Sequence, residues 1–213
     1  MKVRRKTGLC ALMISLPLLL CACGAPGGGS DGAGPKKDGA QLLQEEYQAL
    51  DGCDMAARLR CDWEGEVADY TLQCSWNAGG TASVEVAEPE LLRGVRAEFD
   101  RENLTLVYDD VSLPAGTLSD EELSPAQCLP LLMDAICEGY ILEKGTEEID
   151  GQLCARLLFD VTGAQGNKIH YVVWFGADHV PVHAEVEVNG AVIFTVEFTD
   201  FQVRTAVPEE ETA

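Results

Sequence analysis

Residues 171–203 read YVVWFGADHVPVHAEVEVNGAVIFTVEFTDFQV. Apolar side chains take every second position in Tyr171, Val173 and Phe175, again in Ala184, Val186 and Val188, and in part of the run from Ile193 to Val203. A period of two sends alternate side chains to one face, so three half-buried strands are predicted. Asn189-Gly190 separates the last two. It is the strongest short hairpin signal in the chain, because both residues accept the positive φ of a two-residue turn.

The same period extends outward. Leu153, Ala155, Leu157 and Phe159 predict a strand just before this block, with Ile169 opening the next. Further upstream come Tyr70, Leu72, Cys74 and Trp76, then Ala82, Val84 and Val86, then Val95, Ala97 and Phe99, then Leu104, Leu106 and Tyr108. Residues 77–80 and 100–103 carry turn formers, so consecutive strands are expected to be antiparallel neighbours. Two helices break the pattern. Leu43, Tyr47 and Leu50 stand at helical spacing near Gln41. Ser124-Pro125 reads as an N-cap with proline at the first helical position, ahead of a stripe of Leu129, Leu132, Met133 and Ile136. Gly139 is the expected terminator, and Pro130 is expected to distort the early turns. About eight strands in two blocks, with one helix before and one between, make an α+β fold around a mainly antiparallel sheet. The 165 residues from Gln41 to Thr205 suit one domain, placed at 40–205.

The amino terminus has a different character. Lys2, Arg4, Arg5 and Lys6 precede an apolar run from Leu9 to Leu20, the order of a secretory signal. Its 12 residues fall short of the ~20 that cross a bilayer as a helix, and no later stretch is long and apolar enough to span. Leu20-Cys21-Ala22-Cys23-Gly24 then resembles the lipobox of bacterial lipoproteins. That resemblance implies a signal peptide of residues 1–22, cleavage after Ala22, and a diacylglyceryl group on the Cys23 thiol. Cys21 cannot take the role, since Leu20 is too large for the cleavage position. Palmitate-like acyl chains at ~0.8 kcal/mol per buried methylene give stable anchoring to the membrane. Residues 24–38, GAPGGGSDGAGPKKD, lack any side chain able to build a core, so 23–39 is read as the lipidated cysteine and a flexible tether. The 206–213 segment is an acidic tail.

Loss of the leader removes four basic residues and no acids, leaving 11 Lys/Arg against 36 Asp/Glu and a formal charge of −25. Such a surface repels nucleic acid and anionic headgroups, which excludes a nucleic-acid partner and fits an extracytoplasmic domain held off the membrane.

The 171–203 stretch, with its strand through Trp174, its VPVHAEV segment, Asn-Gly turn and final TVEFTDF, resembles the closing strands of the LolA-like lipoprotein-carrier superfamily, which includes LppX- and RseB-related proteins. The order of helix, strands, helix and strands over residues 40–205 is similar too. The resemblance implies a curved, unclosed half β-barrel covered by helices, enclosing an apolar cavity. It names no catalytic residue.

Candidate chemistry is sparse. Besides Cys23, mature cysteines stand at 53, 61, 74, 128, 137 and 154. A hairpin turning at Val67-Ala68 would set Cys61 directly opposite Cys74, either as a disulfide or as two buried thiols. Cys128 and Cys137 lie ~13 Å apart along one helix and cannot bridge each other. His179 and His183 lack a third ligand, so no metal is expected, and no cofactor loop or nucleophile with its base is evident. Glu121, Glu122, Glu147 and Glu148 read as solvated charge. The candidate ligand cavity comprises Trp63, Leu72, Trp76, Phe99, Leu106, Leu132, Ile136, Tyr171, Val173 and Phe175. Alternation alone leaves open whether these line a hollow or fill a core. The expectation is a non-enzymatic, membrane-tethered lipoprotein of the cell envelope that binds a lipid or other apolar ligand. The alternative is an envelope protein-interaction or sensing module with no small ligand.

Overall fold

Left-handed residues at chain reversals lay out the sheet. Gly65, Gly80, Asp109-Asp110, Asp150-Gly151 and Asn189-Gly190 all have positive φ, which lets the strands on either side fold back as antiparallel neighbours. The computed structural model describes residues 38–63, 65–101, 103–117, 123–161 and 168–205. The expected signal peptide, Cys23, most of the tether, Glu121, Glu122 and the acidic tail lie outside them.

The elements are α1 (Gly39–Gln48), β1 (Gly52–Trp63), β2 (Glu66–Asn77), β3 (Thr81–Glu88), β4 (Arg96–Asp100), β5 (Asn103–Tyr108), β6 (Val111–Thr117), α2 (Pro125–Glu138), β7 (Tyr140–Ile149), β8 (Gln152–Asp160), β9 (Ile169–Phe175), β10 (Pro181–Val188) and β11 (Ala191–Arg204), with a 3₁₀ turn at Glu90–Leu92. Eleven strands form one sheet in the order β6-β5-β4-β3-β2-β1-β11-β10-β9-β8-β7. Every pairing is antiparallel. The sheet curves without closing, so β6 and β7 are its edges. This is the expected α+β half-barrel, with three strands more than the sequence pattern announced.

Two meanders, β1–β6 and β7–β11, meet only where β1 pairs with β11. That register runs from Gly52 opposite Arg204 to Cys61 opposite Phe194. Arg204 pins the seam. Its Nη1 donates to both Asp54 oxygens at 3.0 and 3.2 Å and to Ser75 Oγ at 3.1 Å, while Nη2 reaches the Trp76 carbonyl at 2.7 Å and Asn77 Oδ1 at 2.8 Å. One planar guanidinium thus ties β11 to β1 and β2. Gly52 makes room for it, since a Cβ there would meet the Trp76 carbonyl at 2.4 Å and Arg204 Nη2 at 2.6 Å.

Both helices lie against the inner face, where the main core gathers Met55, Ala57, Leu59, Leu72, Val84, Leu132, Ile136, Phe159, Val173, Phe175, Phe194 and Val196. Asp38 caps α1 and also pairs with Lys144 on β7. Leu43 and Tyr47 face inward as the helical spacing predicts. Ser124 and Gln127 close a capping box on α2, with Pro125 behind the cap. The helix continues through Pro130 to Glu138. At its other end the orphan carbonyls of α2 find partners on α1. Gln44 Nε2 donates to the Ile136 and Gly139 carbonyls at 3.1 and 2.9 Å, and Gln48 Nε2 to the Cys137 carbonyl at 2.7 Å. Gly139 does stop the helix, though by close approach instead of positive φ: its φ is −64°, and a Cβ would meet the Ala135 carbonyl at 2.4 Å.

The Cys61 and Cys74 pairing needs correction. The β1–β2 hairpin turns before Glu66, opposite Trp63, so Cys61 faces Ala68 and Cys74 faces Met55. Six residues of strand, roughly 20 Å, separate Cys61 from Met55, beyond any disulfide. The thiols of Cys53, Cys61, Cys74, Cys128, Cys137 and Cys154 are all buried and free.

A filled core sets the cost of a void. Ile136→Ala, at a fully buried site on α2, is expected to lower unfolding stability by about 2–5 kcal/mol. Leu153→Ala, at a residue 69% exposed, is expected to stay within about 0.5 kcal/mol. Urea unfolding followed by circular dichroism compares them, and equal losses would contradict this placement of the core.

Candidate functional site

The inner face is not uniformly covered. α2 rests on β2, β3 and β8, and the outer strands of the first meander extend beyond it. Cross-strand register shows the apolar rows that run from beneath α2 to the outer strands. Trp76, Ala82, Phe99 and Leu104 form one row across β2 to β5, each directly opposite the next. Cys74, Val84, Ala97, Leu106 and Leu113 form the adjoining row across β2 to β6. Tyr108 and Val111 pair beyond it. At ~4.8 Å per strand, the longer row spans about 19 Å, with Cys74, Val84 and Ala97 buried and only Leu106 and Leu113 exposed.

Two parts of this surface are open. A cleft of about 240 Å³ runs between the flank of α2 and the first row, lined by Trp76, Ala82, Phe99, Gln127, Pro130, Leu131 and Asp134, with Gly80, Thr81 and Arg101 at its rim. The α2 members, 127, 130, 131 and 134, share one helix face by their i, i+3, i+4, i+7 spacing. Past the cleft, Leu106, Tyr108, Val111 and Leu113 are 38–61% exposed although all four point to the inner face. An apolar strip of this kind on an inner sheet face marks a surface built for contact.

Polar groups in the cleft are few and specific. Trp76 Nε1 donates to Asp134 Oδ1 at 2.8 Å. Burial pushes the Asp134 carboxyl above its ordinary value, with the Trp76 hydrogen bond opposing and the Glu138 charge adding to the rise. Gln127 is the one buried polar side chain among the described residues. Its Oε1 accepts from the Ser124 backbone N–H at 2.9 Å.

Of the ten residues expected to line a cavity, Trp76 and Phe99 line this cleft and Leu106 lies on the open strip. Leu72, Leu132, Ile136, Tyr171, Val173 and Phe175 are packed into the core between the sheet and the helices. Trp63 stands 46% exposed at the hairpin end of β1, away from both. Leu113, Val111, Leu131, Gln127 and Asp134 went unread. The i, i+3, i+4, i+7 set on α2 was the available signal.

His179 Nδ1 lies 2.6 Å from Glu46, and the His183 ring stacks edge-on at 5.0 Å from Trp174 on the outer face. Among the described residues, no group of three or more His, Cys, Asp or Glu could hold a metal ion. Desolvation raises the thiols of Cys53 and Cys137 to about 12 and pushes Cys74 and Cys128 up further, so they stay protonated and unreactive near neutrality.

Asp134 carries a pH signature. Its folded pKa exceeds the unfolded one, so the folded chain holds the proton more tightly. The resulting stabilisation is complete below the ordinary value of 3.8 and is lost as pH rises through the raised folded value. Asp134→Asn keeps an acceptor for Trp76 without this dependence. Relative to the unsubstituted chain, the variant is expected to gain stability steadily from pH 4 towards pH 7 in urea titrations. A stability difference that does not change with pH would contradict the assignment.

No family model matches the chain, and no curated protein matches it. Solved structures do. The chain is similar to a LolA superfamily protein from Nitrosomonas europaea at 14% identity, with 79% of this chain and 94% of that one covered and a TM-score of 0.47. It is also similar to a putative outer membrane lipoprotein-sorting protein domain from Vibrio parahaemolyticus at 13% identity, 80% and 95% coverage and a TM-score of 0.46. A third similar structure is the lipoprotein LppX of Mycobacterium tuberculosis, at 15% identity, 78% and 97% coverage and a TM-score of 0.36.

Proposed function

We propose that this chain is a lipoprotein held outside the cytoplasmic membrane through Cys23, and that it binds one apolar chain of a lipid or similar ligand on the open part of its inner face. The observation that carries the binding claim is the adjacency in the sheet of the cleft, floored by Trp76 and Phe99, and the exposed strip of Leu106, Tyr108, Val111 and Leu113: Phe99 faces Leu104, two residues along β5 from Leu106. A cleft of 240 Å³ is smaller than the ~300–1,000 Å³ typical of sites that engulf a ligand. It therefore takes one end of the ligand, and the rest lies across β4 to β6. Each 100 Å² of apolar area removed from water contributes about 2.5 kcal/mol, so such a groove can hold a chain without any covalent step. Binding by area burial needs no nucleophile, and the reading is a non-enzymatic one.

The sheet edges favour this over partner-strand addition. β6 contains Pro114 and Gly116, and β7 carries Glu143, Lys144, Glu147 and Glu148, features that blunt an edge. A protein docked on the strip is the competing outcome.

Mass spectrometry of the chain extracted from membranes in mild detergent reads both claims. Under denaturing conditions a diacylglyceryl adduct is expected on Cys23. Under native conditions one noncovalent lipid is expected per chain, reduced at least ~10-fold by Leu113→Glu, because a charge on the strip must be desolvated when the ligand binds. An unmodified Cys23 would overturn the anchor. A lipid-free native mass with a stoichiometric protein partner would overturn the ligand.

A further inference from the structure

Two hydrogen-bonding groups in the cleft are left over by the fold. Gln127 is only 5% exposed, yet its Nε2 donates to nothing among the described residues, because the capping box engages Oε1 alone. Among the described residues no sealed side-chain nitrogen or oxygen lacks a partner, and Gln127 lines the open volume of the cleft. Asp134 likewise gives Oδ1 to Trp76, and among the described residues its Oδ2 accepts no hydrogen bond. Buried polar groups are almost always satisfied in a working protein, and a donor and an acceptor on one wall of an apolar cleft point to an occupant that satisfies both.

Resting on the reading of the cleft as an apolar-ligand site, we infer that the ligand is an acyl compound with an uncharged ester or amide head. Its carbonyl accepts from Gln127 Nε2, and its hydroxyl or N–H donates to Asp134. The apolar tail runs from Phe99 towards Leu113.

The carboxylate settles the sign of the preference. A carboxylate or phosphate head placed beside Asp134 would set two like charges in a partly desolvated site. Arg101 sits on the exposed rim, where its attraction for an anion is screened by water. Among the described residues its side chain forms no ion pair, and it is exposed to solvent. The acidic surface adds repulsion at longer range, from 36 Asp/Glu over the whole chain. Anionic amphiphiles are therefore disfavoured although their tails fit equally well.

Two probes with the same tail isolate the head. The full chain, stripped of endogenous lipid, is titrated calorimetrically at pH 8 with 1-decanoylglycerol and with decanoate, both below their micelle concentrations. Decanoylglycerol is expected to bind at least ~10-fold more tightly, the scale of one hydrogen bond to a charged group. Asp134→Asn should narrow that ratio to about threefold or less, chiefly by improving decanoate. Gln127→Met should weaken decanoylglycerol by ~10-fold with decanoate less affected, with a urea titration confirming that the variant folds. Decanoate binding as tightly as decanoylglycerol, or a preference unmoved by both substitutions, overturns the inference while leaving the apolar site intact. Failure of both probes to bind the unsubstituted chain overturns the site itself.

Discussion

The pairing of β1 with β11 is the constraint on which everything else depends. Every other strand contact joins neighbours in sequence across a short connection, and each could form locally. This one brings residues 52–61 against residues 194–204 and must bear the loop-closure entropy of nearly the whole domain. Long-range pairing of this kind is slow to form and needs compensation on arrival. Arg204 provides part of it by satisfying acceptors on two strands at once, and the paired inner faces supply the rest through Leu59, Val196 and Phe194.

Joining two meanders at their centre explains why the helices sit where they do. The connection from β6 to β7 must cross from one edge of the sheet to the other, and α2 makes that crossing over the inner face. It buries Leu129, Leu132, Met133 and Ile136 completely. Its C-terminal carbonyls are then closed by Gln44 and Gln48 from α1. The inner face of β8–β11 ends up beneath the helices and is filled, whereas the β5–β6 wing lies beyond α2. The open strip is thus a consequence of one fourteen-residue helix covering part of an eleven-stranded sheet.

The sequence was legible wherever one strand face is buried and the other wet. β2, β3 and β10 alternate cleanly and were read, while β9 was read from Tyr171, Val173 and Phe175 although both of its faces are buried. β7 escaped because, as an edge strand, most of it is exposed on both faces and its composition is largely polar. β6 escaped because Pro114 and Gly116 read as loop. β1 does alternate, but through Cys53, Met55, Ala57, Leu59 and Cys61 set between charges, a weak contrast. The Cys61 and Cys74 error followed directly: with β1 unread, nothing fixed the hairpin register except a guess at its turn. Alternation likewise named the inner face without its depth, so core residues such as Phe175 and cleft residues such as Phe99 looked alike. Gln127 and Asp134 stayed hidden because a polar residue on a helix flank is ordinary until the sheet opposite is known.

The central claim is that the open inner face holds an apolar chain. A lipid carrying a photoactivatable diazirine on its acyl tail, irradiated with the chain and mapped by peptide mass spectrometry, tests it most directly. The account predicts adducts confined to Trp76, Phe99, Leu131, Leu106 and Leu113. Adducts on the outer face around Trp174, or labelling spread evenly over the surface, would contradict it.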